Sequence, residues 1–212
     1  MVTLFACKQT TKPAQIHTTT KRLLDIRVGD RVGFIDTSGK MIINPQFDGV
    51  LLNDKKINIG VYAVRMVDKV GFIDTTGKYI INPQFDVDTS QLPFEFWNYG
   101  FTTSGLSAVK VKDKWGFINL KGEMVLKPIY TDVDMTGFSE GLAGVKVKDK
   151  WGYIDSTGKF IIPEQFEFVD GFENGIAEIR EKEIVTKGKE KVEIYKTGYI
   201  NKKGKIIWKP SN

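Results

Sequence analysis

The stretch "KDKWGYIDSTGKFIIPEQF" (Lys148–Phe166) decides the fold, because the chain repeats it as "KDKWGFINLKGEMVLKPIY" (Lys112–Tyr130). Both segments keep Trp, Gly and Pro in register while their polar positions change. Three further copies align with them: "DRVGFIDTSGKMIINPQF" from Asp30, "DKVGFIDTTGKYIINPQF" from Asp68 and "YKTGYINKKGKIIWKP" from Tyr195. Five tandem copies predict a repeat protein in which each copy forms one structural unit.

Each unit is predicted to contain three short strands. The segment "AVKVK" before the third copy, and Val145 to Lys148 before the fourth, alternate apolar and cationic residues, which is typical of a strand with one buried face. An Asp-Lys turn then leads into "WGYID", and the turn "DSTGK" follows, in which Asp155 can accept backbone amides and Gly158 can adopt a positive φ. The third strand, "KFIIP", is expected to end at its proline, which cannot donate to a ladder. No segment combines helix caps with a 3.6-residue period, so the predicted fold is all-β.

The Trp-Gly pair indicates how the units pack. Adjacent strand residues face opposite sides, so Trp115 covers apolar area on one face while Gly116 admits a neighbouring backbone or ring on the other. Phe117 lies on the Trp side and Ile118 on the Gly side, which makes both faces apolar. Such a strand needs adjacent copies to cover it. The predicted structural core of the repeat consists of the two Trp-Gly pairs, Trp115, Gly116, Trp151 and Gly152.

These copies resemble the WG repeat, also called the KWG repeat, of bacterial proteins. The matching elements are "KWGFIN" and "KWGYID", the Gly-Lys or Gly-Glu turn, the proline-aromatic close and the "GLAGV" theme. They extend from about Arg27 to Pro210. The copies depart from the pattern with Val32, Val70 and Thr197 at the Trp position. The resemblance implies a repeat platform, and it carries no catalytic residues over to this chain.

The repeats set the predicted domain organisation. Residues 1–26 form a flexible leader, and residues 27–212 form the repeat domain, with cores at 30–48, 68–86, 113–130, 149–166 and 195–210. Uneven spacing and drifted end copies favour an open, twisted array with capping units. A small β-propeller is the alternative, although its blades usually contain four strands.

The distribution of charge and the numbers of Cys and His residues exclude several classes of function. The net charge of +5 comes mostly from residues 1–29, which hold five bases and one acid, so the repeat domain is nearly neutral and a nucleic-acid partner is not expected. Cys7 and His17 are the only residues of their types. A disulfide, a cysteine-built metal site and a His-paired nucleophile are thereby excluded within one chain. We therefore expect no enzyme, no catalytic residues, no metal and no cofactor.

The leader contains a candidate lipidation site. "LFAC" (Leu4–Cys7) resembles a bacterial lipobox, and a polar segment that could serve as a tether follows Cys7. A signal peptide needs an apolar stretch of about 7–15 residues, and fewer precede Cys7, so this interpretation requires a start further upstream. It predicts a lipoprotein of the bacterial cell envelope that meets the membrane only through its anchor. A cytoplasmic protein with an incidental cysteine is the alternative.

An insertion from Asp86 to Gly105 offers the main candidate binding surface, because clustered aromatic rings are typical of sugar-stacking or protein-docking surfaces. The alternative is that this loop folds back and fills the gap at Val70. The candidate ligand-binding residues are Phe94, Phe96, Trp97, Tyr99 and Phe101.

Three other groups of charged residues are predicted to have structural roles. "REKEIVTKGKEKVEIYK" (Arg180–Lys196) is predicted to form a long charged hairpin. The turn aspartates Asp36, Asp74 and Asp155 are predicted to shape turns, since calcium needs six to eight oxygen ligands. The lysines before the third and fourth copies are predicted to lie on solvated outer faces, rather than to form a cationic ladder that binds an anionic glycan. They are Lys110, Lys112, Lys146 and Lys148.

The sequence thus predicts a non-catalytic binding or scaffold module for a protein or glycan partner at the cell envelope. The alternative is a carbohydrate-active enzyme with a carboxylate pair in a groove between repeats.

Overall fold

The computed structural model describes residues 23–51, 60–87, 99–187 and 190–209. Its regular structure consists of antiparallel β-strands, and no sheet in these ranges closes into a barrel. The prediction of an all-β array of repeated units is therefore confirmed, and the open form is the one observed. Within the same ranges no helix could cross a membrane.

The strands divide into five units that follow the sequence copies. Unit 1 comprises β1 (Leu24–Val28), β2 (Arg31–Ile35) and β3 (Met41–Phe47). Unit 2 comprises β4 (Gly49–Val50), β5 (Val61–Met66), β6 (Lys69–Asp74) and β7 (Tyr79–Asp86), and unit 3 comprises β8 (Leu106–Val111), β9 (Lys114–Asn119) and β10 (Met124–Tyr130). Unit 4 comprises β11 (Asp132–Ser139), β12 (Leu142–Val147), β13 (Lys150–Ile154) and β14 (Phe160–Phe166). Unit 5 comprises β15 (Phe168–Val169), β16 (Ile176–Lys187), β17 (Glu190–Asn201) and β18 (Ile206–Trp208).

Two boundaries differ from the sequence predictions. Units 2, 4 and 5 begin with an additional strand, which has two residues in units 2 and 5 and eight in unit 4, because the closing strand of the preceding unit runs on almost directly into the next sheet. Only Glu167 separates β14 from β15, and it forms an ion pair with Lys150. Strand β1 begins at Leu24, so residues 24–26, predicted as leader, belong to unit 1, where they pair with β2.

The predicted turns are confirmed. In unit 4 the Oδ1 atom of Asp155 accepts hydrogen bonds from the Thr157 amide at 2.9 Å and the Lys159 amide at 3.1 Å. Gly158 follows with φ of 85°. Asp36 and Asp74 accept the equivalent amides in units 1 and 2. These carboxylates therefore shape turns, as the sequence predicted.

The closing strand does not end at its proline, contrary to the sequence prediction. In unit 4, Ile162 pairs with Tyr153 and Phe166 with Trp151, so the three residues from Pro163 bulge outward opposite the single residue Gly152. Proline is tolerated at a bulge because it has no amide to contribute to the ladder. Units 1, 2 and 3 show the same change of register.

This bulge explains the glycine of the Trp-Gly pair. A Cβ atom on Gly152 would lie 2.7 Å from the Ile162 carbonyl oxygen and 2.7 Å from the Glu164 amide nitrogen. A Cβ on Gly116 would lie 2.6 Å from the Leu126 carbonyl oxygen. A neighbouring backbone does approach the glycine, as predicted, and it belongs to the same unit.

The hydrophobic cores lie between successive units. Trp151 and Tyr153 of unit 4 share a buried cluster with Phe172 and Ile179 of unit 5, whereas Ile154 belongs to the cluster on the opposite side. Trp115 belongs to a buried cluster that extends from unit 2 to unit 4. The two faces of the central strands β9 and β13 are therefore covered by the units before and after them, as the Trp-Gly pattern predicted.

Candidate functional site

The described part of the aromatic insertion contributes to the core. Tyr99 and Phe101 are both buried. The Tyr99 ring lies 5.2 Å from Trp115, and its hydroxyl donates to the Asp86 carbonyl at 2.5 Å, while the Phe101 ring lies 5.1 Å from Phe72. These rings seal the contact between units 2 and 3, so the structure corrects their assignment to an open ligand surface.

The other three predicted binding residues, Phe94, Phe96 and Trp97, lie outside the described residues, as do Cys7 and His17. Their assignment to a ligand surface stays a prediction.

A groove crosses units 3, 4 and 5 along the segments by which the chain enters each unit. Its volume is about 560 Å³. Hydroxyl groups and carboxylates dominate its side chains, and none of its lining residues is cationic. The groove is lined by Thr102, Thr103, Thr136, Phe138, Ser139, Glu140, Asp170, Gly171, Phe172 and Glu173.

Contacts between units hold the walls of the groove. The Ser139 hydroxyl donates to the Phe172 carbonyl at 2.5 Å, and the Tyr153 hydroxyl donates to the Asp170 carbonyl at 2.7 Å. Burial raises the pKa of Tyr153, with the charges of Asp134 and Asp170 adding to the effect, so this hydroxyl remains a donor at neutral pH. The loop of unit 5 is thereby fixed against unit 4.

Buried beneath the groove is Asp134. Its carboxylate accepts hydrogen bonds from the Thr136 amide at 2.8 Å, the Thr136 hydroxyl at 2.5 Å and the Gly144 amide at 3.1 Å. Burial raises the pKa of Asp134 to about 6, because desolvation and the nearby Asp170 outweigh these hydrogen bonds. Asp134 therefore fixes Thr136 in the groove wall and carries a titratable proton.

The carboxylates at the rim also have structural partners. Glu140 accepts the Gly175 amide at 3.1 Å and lies 3.9 Å from the Lys202 amine. Asp170 accepts the Gly171 amide at 2.9 Å. Among the described residues, no three acidic, His or Cys side chains are placed to hold a metal ion. The arrangement can offer hydrogen-bond acceptors and negative charge to a ligand.

The lysine rows lie beside the tryptophans. The Lys110 amine is 5.9 Å from the centre of the Trp115 ring, and the Lys146 amine is 5.9 Å from that of Trp151, which is cation–π distance. Lys112 and Lys148 occupy tight turns with positive φ of 49° and 55°. Two of these lysines thus contact the tryptophan of their own unit, and the other two form its turn.

Sequence reasoning did not single out the groove. A signal was present, because a Val-Asp pair recurs soon after the closing aromatic, as Val133-Asp134 and Val169-Asp170. A Gly-Phe pair then follows at Phe138 and Phe172. These short themes lie between the repeat cores, and they line the groove from the end of β11 and from the loop between β15 and β16.

Comparison with known families agrees with this architecture. The model of the "WG containing repeat" matches residues 33–55, 71–87, 115–151 and 151–183, which is just over half of the chain. The chain belongs to the WG repeat family. The matches fall on units 1 to 4 and the start of unit 5, and the structure shows that residues 190–208 complete a fifth antiparallel unit. No curated protein matches the chain.

Proposed function

We propose that this WG repeat protein is a non-catalytic binding module, and that the groove across units 3 to 5 receives a protein segment carrying lysine or arginine. The observation that carries this proposal is the lining, which combines hydroxyl groups with Glu140, Asp170 and Glu173 and contains no cationic side chain. A basic segment would find acceptors and opposite charge along one surface.

A protein ligand is favoured over a glycan because the groove offers no open aromatic platform. Its two rings, Phe138 and Phe172, are buried in the contacts between units. Sugar rings usually stack on exposed aromatic faces. A glycan partner, which the sequence also allowed, is the other outcome of the experiment below.

Binding is favoured over catalysis because of how the carboxylates are held. Asp134 is buried and bonded to Thr136 and Gly144, and Glu140 and Asp170 bond to backbone amides of their own surroundings. The groove does lie between repeats and carries acids, as the enzyme alternative requires. That alternative predicts release of reducing ends from polysaccharides, with loss of release in Asp170→Asn.

The binding proposal is tested by probing peptide and glycan arrays with the full chain and two variants. Glu173→Lys reverses a charge in the groove, and Glu164→Lys makes the same change at an exposed position of β14 outside it. We expect captured peptides to be rich in Lys and Arg, and Glu173→Lys to weaken capture at least about tenfold, with stronger effects at low salt.

The Glu164→Lys control should bind as the native chain does. If both variants lose peptide binding equally, or if neither changes it, the groove is not the binding site. Capture of glycans alone would replace the peptide with a sugar ligand.

We further propose that Cys7 carries a lipid and places the module at the bacterial cell envelope. The support is the "LFAC" sequence followed by a polar segment. Intact-mass measurement of the protein from its native host tests this, since a lipid adduct on Cys7 is expected. An unmodified Cys7 would favour the cytoplasmic alternative.

A further inference from the structure

The repeat itself shows how each face of a unit is covered. At the residue after the glycine of the Trp-Gly position, units 1 to 4 carry a fully buried ring, because a ring of the following unit lies against it. The centre-to-centre distances are 5.1 Å for Phe34–Tyr62, 5.1 Å for Phe72–Phe101, 4.9 Å for Phe117–Phe138 and 4.8 Å for Tyr153–Phe172. In unit 5 the same position holds Tyr199, whose surface is 37% exposed.

The closing strand shows the same difference in burial between units 1 to 4 and unit 5. In units 1 to 4 an aliphatic residue on this strand is buried by the turn glycine of the following unit, as when Gly204 contacts Ile162. The pairs are Ile43 with Gly77, Ile81 with Gly122, Leu126 with Gly158 and Ile162 with Gly204. In unit 5 the equivalent residue is Trp208, which pairs with Tyr199 and is 52% exposed.

Unit 1 presents the complementary half of this interface. Gly39 is its turn glycine, and no described residue lies within 4 Å of its Cβ position, whereas the other four turn glycines contact a preceding unit. Leu24 stands two residues before Ile26, as Tyr62 stands two residues before Val64, and it is 39% exposed. Ile35 is only partly buried, although its equivalents in units 2 to 5 are fully buried.

We propose that the outer face of unit 5 docks onto the outer face of unit 1 of a second copy of this chain. Tyr199 and Trp208 of one copy would lie against Leu24 and Gly39 of the next, in the geometry that joins successive units within the chain. The second copy is the occupant because the chain itself carries both halves of the interface. The turn-glycine contact is formed at four junctions within the chain, and the ring contact at the position of Leu24 is formed at the first junction, by Tyr62. A head-to-tail contact of this kind is heterologous and builds open chains of copies. This inference is independent of the groove.

The test is sedimentation of the full chain and three variants over a concentration series up to about 1 mM. Trp208→Glu blocks the unit 5 face and Leu24→Glu blocks the unit 1 face. Ile129→Glu is the control, since Ile129 is an exposed apolar residue on the bulge of β10. We expect the native chain and the control to form species that lengthen with concentration. Each end variant should raise the dissociation constant at least about tenfold.

Mixing the two end variants gives the decisive result. One variant keeps an intact unit 5 face and the other an intact unit 1 face, so the mixture should form dimers and nothing longer. A native chain that stays monomeric throughout, a mixture that stays monomeric, or a control that loses association as the end variants do would each overturn the proposal.

Discussion

Replacing Gly116 with alanine tests whether the glycine of the WG motif is required by the bulge opposite it. The new Cβ would lie 2.6 Å from the Leu126 carbonyl oxygen, 2.9 Å from the Pro128 nitrogen and 3.0 Å from the Pro128 Cα. All three atoms belong to the backbone, so relief requires a shift of β10 against β9.

Overpacking of this kind costs about 3 kcal/mol, and alanine recovers about 0.5–1 kcal/mol of backbone entropy relative to glycine in a strand. We therefore expect Gly116→Ala to lower the free energy of unfolding by about 2–2.5 kcal/mol. For a chain of this size the midpoint of thermal unfolding should fall by about 5–10 °C, as measured by circular dichroism.

Gly198→Ala is the matched control, because Gly198 holds the same motif position in unit 5 and its nearest backbone contact among the described residues is longer than that of Gly116. Its Cβ would meet the Ile179 Cδ1 atom and the Trp208 carbonyl oxygen, both at 3.2 Å. The expected loss is below about 1 kcal/mol. Equal losses in the two variants would refute the reasoning that the bulge selects glycine.

Three further predictions concern a turn, a buried acid and the stacked rings. Val67→Gly should raise the free energy of unfolding in urea by about 1 kcal/mol, because Val67 is a β-branched residue with φ of 56° at a position where unit 1 has Gly29. A lower free energy of unfolding would show that the backbone at Val67 is not strained. Because burial raises the pKa of Asp134 to about 6 from an ordinary value of 3.8, native stability should fall as pH rises from about 4 to about 6. The Asp134→Asn variant should not show this fall. Its free energy of unfolding minus that of the native chain should therefore increase with pH, by up to about 3 kcal/mol at pH 7. Parallel pH profiles of the two chains would contradict the raised pKa. Tyr153→Ala should cost about 3–5 kcal/mol and Tyr199→Ala under about 1 kcal/mol in the monomer, and similar costs would contradict the stacking.

Local features of the fold could be predicted from the sequence because they depend on neighbouring residues. The turn at Asp155 and Gly158 is specified by side-chain bonds over four residues, and the alternation before Trp151 predicts the strand β12. The prediction that this strand has one buried face is wrong, because its first four residues are buried on both faces. The long hairpin of β16 and β17, predicted over Arg180–Lys196, is confirmed for the same reason, with Lys182 pairing with Glu193 at 2.5 Å.

Features that depend on packing between units could not be predicted in this way. The pattern at Pro163 is equally consistent with a strand end and with a bulge, and the choice depends on the backbone fitting against Gly152. The rings of Tyr99 and Phe101 have the composition of an open binding surface, yet stacking places them against Trp115 and Phe72.

The groove was missed for a related reason. Its lining comes from the loop before β8, the end of β11 with the turn after it, and the loop between β15 and β16, which the stacking of units 3 to 5 brings together. None of these segments carries a residue pattern that indicates a site alone. The recurring Val-Asp pair marks where such segments begin, and only the stacked units show that Asp134 lies beneath the wall that includes Thr136.

The central claim is that rings stacked between successive units hold the array together, and a double-mutant cycle on Phe117 and Phe138 tests it most directly. Their ring centres lie 4.9 Å apart across the contact between units 3 and 4. The account predicts that the two alanine substitutions together cost less than the sum of their separate costs, with a coupling of about 1 kcal/mol in urea unfolding. Strictly additive costs would contradict it.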